Sequence, residues 1–251
     1  MSDVQAAALT ASIGSALLVS NDVATIELLS ESLEQLAIST EVCSEVARTP
    51  GLLKRRRFGT IVVDVQLGNE LPTLLEQARH SPSNRTSVIF AISDSDADTA
   101  VAFREGFNFV LRRPLSESSI DPSLRAAYGL ILREERRYFR FPVDVPAMFR
   151  LRGTEEFCGQ VVNVSEGGLA ISTQFPLEPG VEVQVQFTPP GYESEFGAQA
   201  SVCWCEEGLT GLRFISLTAQ VKAKLQEWLS RGLEQSLPVS VANKFRALKL
   251  V

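Results

Sequence analysis

Glu135-Arg136-Arg137-Tyr138-Phe139-Arg140-Phe141-Pro142 lies near the middle of the 251-residue chain, where the local composition changes. Before it, strand-like and helix-like blocks alternate. After it come short alternating strands with few helical patterns. The switch predicts two domains of different class: a parallel α/β sheet with helices on both faces, then a small antiparallel barrel. Arg136, Arg137 and Arg140 stand beside aromatic rings, a pattern that suits an anionic, planar ligand. Guanidinium forks bind phosphate bidentately, and their flat faces stack on rings.

Upstream, Ala16-Leu17-Leu18-Val19 reads as a strand. Asn21 or Asp22 then caps a helix with apolar positions at Ile26, Leu29, Leu33 and Leu36. A second strand falls near 39–43, and Pro50-Gly51 weakens the helix that follows. Residues 60–65 form a β-branched run, suited to a strand buried on both faces. A helix over 71–78, a strand over 87–92, a helix over 97–105 and a strand over 109–111 complete five βα units. Asp121-Pro122 then reads as a cap and first position of a helix running to Glu135, with Leu124, Ala127, Tyr128 and Ile131 on one face. At 1.5 Å per residue this is a rod of roughly 20 Å. No Gly/Ser linker follows, so the spacing predicts semi-rigidly coupled domains. Glu134 and Glu135 are the counter-charges nearest in sequence to the arginines.

Downstream, strands are predicted over 143–151, 157–162, 169–173, 181–187, 198–205 and 209–215, with turns at Gly153, Gly167-Gly168, Pro179-Gly180, Pro189-Pro190-Gly191 and Glu207-Gly208. A helix over 218–231 should cover the barrel with Val221, Leu225, Trp228 and Leu229 inward. Residues 236–251 form a tail to which the sequence assigns no role.

Hydrophobic residues make up 45% of the chain, enough for a packed core, and the net charge of −6 argues against a broad nucleic-acid surface. No apolar run reaches the ~18 residues of a membrane helix. The first residues carry Asp3 and no basic charge, unlike a secretory signal, so a cytoplasmic protein is expected. Cys43, Cys158, Cys203, Cys205 and the single His80 do not match metal-ligand spacing, and no metal is expected. Cys203 and Cys205, two apart on a strand, should share a face. Lys54-Arg55-Arg56-Arg57 reads as a solvated helix end. No nucleophile–base arrangement, metal cluster or P-loop marks an enzyme.

R-x-x-x-R (Arg136, Arg140) is followed, 23 positions after Arg140, by N-x-S-x-x-G (Asn163, Ser165, Gly168). With Val202-Cys203-Trp204 and Gly211-Leu212-Arg213-Phe214, this resembles the PilZ domain, a family of cyclic di-GMP receptors, over about 135–235. The resemblance implies a six-stranded antiparallel barrel with a C-terminal helix. It also implies that Arg136, Arg137 and Arg140 clamp phosphate and guanine edge. Asn163 and Ser165 would read guanine, and Gly167 and Gly168 would shape the turn. The family more often has aspartate where Asn163 stands, so affinity should be lower.

Residues 14–134 resemble the receiver domain of response regulators, a flavodoxin-like fold. Asp64 falls at the phosphoacceptor position and Arg113-Pro114 where the family usually has Lys-Pro. The family's acidic pair falls on Ser20 and Asn21, with only Asp22 acidic nearby, and its hydroxyl residue falls on Ile92, with Ser93 one residue late. Phosphoryl transfer needs magnesium held by acids and donors on the transferred oxygens. One of five groups is unchanged, so the domain is expected to be a degenerate receiver with Asp64 in a solvated crevice. Together these features imply a non-catalytic cyclic di-GMP receptor that relays its signal to a partner protein by domain reorientation, controlling motility, adhesion or polysaccharide output. A phosphorylation-responsive regulator acting through Asp64 and a scaffold that binds no nucleotide are the alternatives.

Overall fold

The computed structural model describes residues 12–67, 71–151, 156–175, 177–206 and 208–236. They fall into two compact units, one reaching Glu135 and the other Arg136–Gln235. The tail beyond Ser236 lies outside the described residues.

The first unit has a parallel sheet of five strands, β1 (Gly14–Val19), β2 (Ile38–Cys43), β3 (Thr60–Asp64), β4 (Val88–Ser93) and β5 (Phe109–Arg112), in the order β2-β1-β3-β4-β5. This is the doubly wound flavodoxin-like order, whose ligand crevice lies at the carboxyl ends of the strands. Successive residues of β1 alternate between two cores. Leu18 packs with Leu29, Val62, Phe90 and Tyr128, while Leu17 packs with Leu53, Ile61, Leu74 and Ile89. A strand buried on both faces must be apolar throughout, which is why these runs show no polar alternation.

The helices are α1 (Val23–Glu34), α2 (Thr49–Arg55), α3 (Leu71–His80), α4 (Asp96–Glu105) and α5 (Glu117–Tyr138). Asp22 caps α1 by accepting from the amide of Thr25 at 3.1 Å. Two helices differ from expectation. Pro50 does not weaken α2 but sits in its first turn, where proline's fixed φ suits a helix start and its missing N–H is not needed. Helix α5 starts at Glu117 rather than Pro122, because Ser116 accepts the first free amides, those of Ser119 and Ile120. Pro122 is therefore inside the helix. The carbonyl it leaves unbonded belongs to exposed Ser118 and can turn to water. At its other end α5 runs past the expected Glu135 to Tyr138, so Arg136 and Arg137 occupy its last turn. Tyr128, buried in the α5 face, has its phenol pKa raised to about 12 by desolvation.

The second unit is a closed antiparallel barrel of β6 (Phe141–Leu151), β7 (Glu156–Ser165), β8 (Gly168–Ser172), β9 (Glu182–Phe187), β10 (Phe196–Glu206) and β11 (Leu209–Ser216), in the order β10-β11-β8-β7-β6-β9. Closure removes every free edge. Phe149, Val161, Ile171, Val185, Val202 and Leu212 fill the interior, and α6 (Ala219–Ser236) contributes Leu225, Trp228 and Leu229. The Phe141 and Trp228 rings meet edge to face with centroids 5.1 Å apart, which seats α6 against the start of β6.

Candidate functional site

Each unit places one group of polar side chains that sequence reasoning singled out. In the first, Asp64 ends β3 beside Ile92 in the β3–β4 register. It is 1% exposed, so the expected solvated crevice is wrong. Arg113 follows β5 and closes on the carboxylate, Nη2 on Oδ2 at 2.6 Å and Nη1 on Oδ1 at 3.1 Å. Ser20 Oγ donates to Oδ2 at 3.1 Å, and the Gln66 amide donates to Oδ1 at 3.2 Å. Both oxygens are thus occupied by the protein itself. The bond to Asp64 is the main cause of a raised Arg113 pKa. Asp22 turns to α1, where the Thr25 hydroxyl and amide lower its pKa. Ser93 Oγ donates to the Ser95 carbonyl at 2.9 Å and contacts Thr99 Oγ1, away from Asp64. Ile92 lies wholly in the core. Among the described residues no His, Cys, Asp or Glu cluster could hold a metal ion.

Two further expectations in this unit change. Glu135 does not serve the arginines that follow it. It is buried and takes Arg57 Nη1 on its Oε2 at 2.7 Å. Arg57 is accordingly not part of a solvated helix end; its other terminal nitrogen donates to the Glu134 carbonyl at 2.8 Å.

In the second unit, Arg140 Nε donates to Asn163 Oδ1 at 2.7 Å, and Arg140 Nη1 reaches Ser165 Oγ at 3.4 Å. Ser165 in turn donates to the Gly168 carbonyl at 2.9 Å, across the tight β7–β8 turn. A Cβ on Gly168 would overlap the carbonyl of Leu212 in β11, so only glycine lets the turn lie this close. The Arg140 side chain as a whole is exposed, yet its guanidinium is desolvated enough against the barrel to lower its pKa. Both acceptors named are neutral. Arg140, Asn163, Ser165 and Gly168 are thus brought together. Arg136 turns instead to α6, its Nη1 on Ser230 Oγ at 3.3 Å, and Arg137 is exposed.

The outer barrel face extends this group. Asn163 pairs with Ala170, and Ala170 with Gly211, in one cross-strand row that the interior core does not include. The Trp204 indole lies across Gly211, where any side chain would overlap it. Two strand spacings, about 9.6 Å, separate Asn163 from Gly211. The Trp204 indole and the Asn163 that holds the Arg140 guanidinium thus stand two strands apart on the outer row. Sequence reasoning missed Trp204 as part of this surface. Strand alternation from inward Val202 would bury it, but a register shift between Val202 and Trp204 turns it out to 41% exposure. The same bulge parts the two thiols expected on one face: Cys205 donates to the Leu177 carbonyl, and Cys203 faces that of Ser201.

The family model of the PilZ domain matches residues 134–231. The chain carries a PilZ domain. A solved PilZ domain of CeSA from a cellulose-synthesizing bacterium is 18% identical, with 37% of this chain and 96% of that one covered at a TM-score of 0.32. The first unit is similar to the receiver domain of a sensor histidine kinase from Pseudomonas aeruginosa PAO1, 18% identical over 46% of this chain and 98% of that one, TM-score 0.41. It is also similar to a CheY-like receiver domain from Methylobacillus flagellatus, 25% identical over 45% and 97%, TM-score 0.40. No curated protein matches the chain. The PilZ domain thus contains Arg140, Asn163, Ser165, Gly168 and Trp204 as one outer-face group, joined to a receiver-like unit whose aspartate is already engaged. No helix among the described residues is long and apolar enough to cross a membrane.

Proposed function

We propose that the protein is a non-catalytic cyclic di-GMP receptor of the cytoplasm, and that its PilZ domain is the binding site. The observation that carries this reading is the state of Arg140: a partly desolvated cation, oriented by Asn163 and Ser165, with both of those acceptors neutral. Neither acceptor gives this group an anion, and a phosphate oxygen supplies charge-assisted bonds that a carboxamide and a hydroxyl do not. Guanine O6 and N7 match the arginine fork, and Asn163 and Ser165 offer acceptors for its N1–H and N2–H₂. Trp204 offers a stacking face two strands from Asn163. Arg136 and Arg137, one turn before Arg140, add cationic charge for the second phosphate, Arg136 after exchanging its Ser230 bond. Gly167 and Gly168 keep the turn low beneath the ligand.

In this reading the bound nucleotide joins the last turn of α5 to the β7–β8 turn. The signal passes to a partner protein through a change in domain orientation, an equilibrium the ligand biases by preferring one state. The receiver-like unit serves as a structural or docking element. Calorimetric titration of the intact protein tests the proposal. Tens of micromolar protein should give a saturable heat with cyclic di-GMP. Arg140→Ala should weaken binding by about 2 kcal/mol, roughly thirty-fold. A flat titration of the intact protein overturns it in favour of a scaffold.

A further inference from the structure

The Arg57–Glu135 pair stands out because nothing in the nucleotide site requires it. Glu135 is 5% exposed, and its Oε1 has no hydrogen-bond partner among the described residues. The carboxylate lies over two glycines. A Cβ on Gly59, just before β3, would overlap Oε1, and one on Gly14, at the start of β1, would meet the carboxyl carbon at 2.5 Å. Neither glycine has a positive φ, so neither is demanded by the backbone. Their shared effect is to leave room for this one carboxylate. Arg57 closes the pocket from the side, bonded to Glu135 Oε2 at 2.7 Å and to the Glu134 carbonyl at 2.8 Å. The Arg57 carbonyl is itself tied to β1, accepting from Ser15 Oγ at 2.8 Å. Arg57 thus grips α5 where Gly14 and Gly59 leave room for the carboxylate, and the next residue of that helix is Arg136.

We infer that Arg57, with Gly14 and Gly59, is a positioning element for the nucleotide site: by clamping Glu135 it holds the last turn of α5, the turn that carries Arg136. The inference rests on the cyclic di-GMP reading for its effect on affinity, but not for the clamp itself. A buried carboxylate under a guanidinium has few alternative placements, because leaving either charge unpaired in the interior is costly. The last turn of a helix otherwise frays, since its carbonyls have no partners of their own. Arg57 holds the Glu134 carbonyl, immediately before those four, and the Glu135 side chain within the turn. The clamp therefore holds a segment that would be loose and that carries a ligand-binding cation.

Gly59→Ala gives the cleanest test, because it displaces the Glu135 carboxylate while leaving every charge in place. The atom it would strike is the far end of a flexible side chain, so the chain should still fold. Arg57→Ala removes the donor, and Arg57→Lys keeps the charge but loses the two-pronged grip. Arg55→Ala, in the same basic run but exposed, is the control. In the ligand-free full-length protein, amide hydrogen exchange at Arg136–Tyr138 should quicken at least tenfold in Gly59→Ala and Arg57→Ala, and less in Arg57→Lys. It should be unchanged in Arg55→Ala. Cyclic di-GMP affinity should fall roughly three- to thirty-fold in the first two variants, the range for mutations that act on a site through its supports. Helix-end exchange equal to the parent in Gly59→Ala and Arg57→Ala overturns the clamp. Faster exchange with unchanged affinity overturns the positioning role. An intact protein that binds no nucleotide removes the proposed function, while the exchange rates still decide the clamp.

Discussion

Arg113 holds Asp64 with both terminal nitrogens, at 2.6 and 3.1 Å, and so occupies both carboxylate oxygens from one side. The pair is 19% and 2% exposed at its side chains, so neither charge is freely solvated. Arg113→Ala leaves a buried carboxylate without its cation and should destabilise the receiver-like unit by about 3–5 kcal/mol. Asp64→Asn should cost less, and adding it to Arg113→Ala should recover part of the loss. Urea titration followed by circular dichroism measures all three. Equal stability of Arg113→Ala and the parent would mean that the pair is not formed in solution.

The same contact bears on phosphorylation. A phosphoryl group on Asp64 needs a metal held by acids and donors for the transferred oxygens, whereas Arg113 takes both carboxylate oxygens, Ser20 brings no acid and Ile92 no hydroxyl. Incubation with acetyl phosphate and magnesium should leave the intact mass unchanged. A gain of one phosphate that disappears in Asp64→Asn would make this unit a working receiver and favour the response-regulator reading.

Gly168→Ala should damage the PilZ domain where Gly167→Ala does not. The first Cβ would overlap the Leu212 backbone carbonyl, which cannot rotate away; the second has no neighbour within 4 Å. The expected cost for Gly168→Ala is about 1–3 kcal/mol, typical of overpacking, with loss of nucleotide binding. Thermal melting and calorimetry on the two variants check it. Comparable behaviour would show that the turn has slack.

Glu135 predicts a pH dependence. Burial raises its pKa above the ordinary 4.5, and neighbouring Glu134 adds to the rise, while the Arg57 charge and hydrogen bond oppose it. With the folded-state value the higher one, the contribution of this group to stability is complete below pH 4.5. It is lost as the pH rises through the folded-state value. Glu135→Gln has no such titration, so its stability relative to the parent should improve as pH climbs from about 4.5 toward neutrality. Urea midpoints for both proteins at several pH values measure this. A constant difference across that window would mean that Arg57 fully compensates the burial.

Relay through domain reorientation predicts where nucleotide slows hydrogen exchange. Protection should rise at Arg136–Phe141 and at Asn163–Gly168, and small-angle scattering should change with ligand. Protection confined to Asn163–Gly168, with scattering unchanged, would leave the two domains merely sharing a chain.

The sequence by itself determined the two fold classes, since they follow from local periodicity. Apolar runs such as Ile61-Val62-Val63 are needed wherever both faces of a strand are covered, and Val181–Phe187 alternates because one face of a barrel is wet. It also determined the grouping of Arg140 with Asn163, Ser165 and Gly168. A turn and the segment preceding its neighbouring strand are linked by short chain distances that spacing can express. What only the tertiary structure decided involves partners far apart in sequence. Glu135 looked like a counter-charge for Arg136, yet Arg57, 78 residues earlier, takes it because the parallel sheet brings the starts of β1 and β3 under the end of α5. Asp64 looked solvated until Arg113 was seen to close on it from 49 residues away. Trp204 should have been inside by parity, and one bulged residue at Cys203 put it outside. Local pattern fixes which face a residue prefers; only packing fixes which distant charge reaches a buried group first, and where one extra residue reverses a strand.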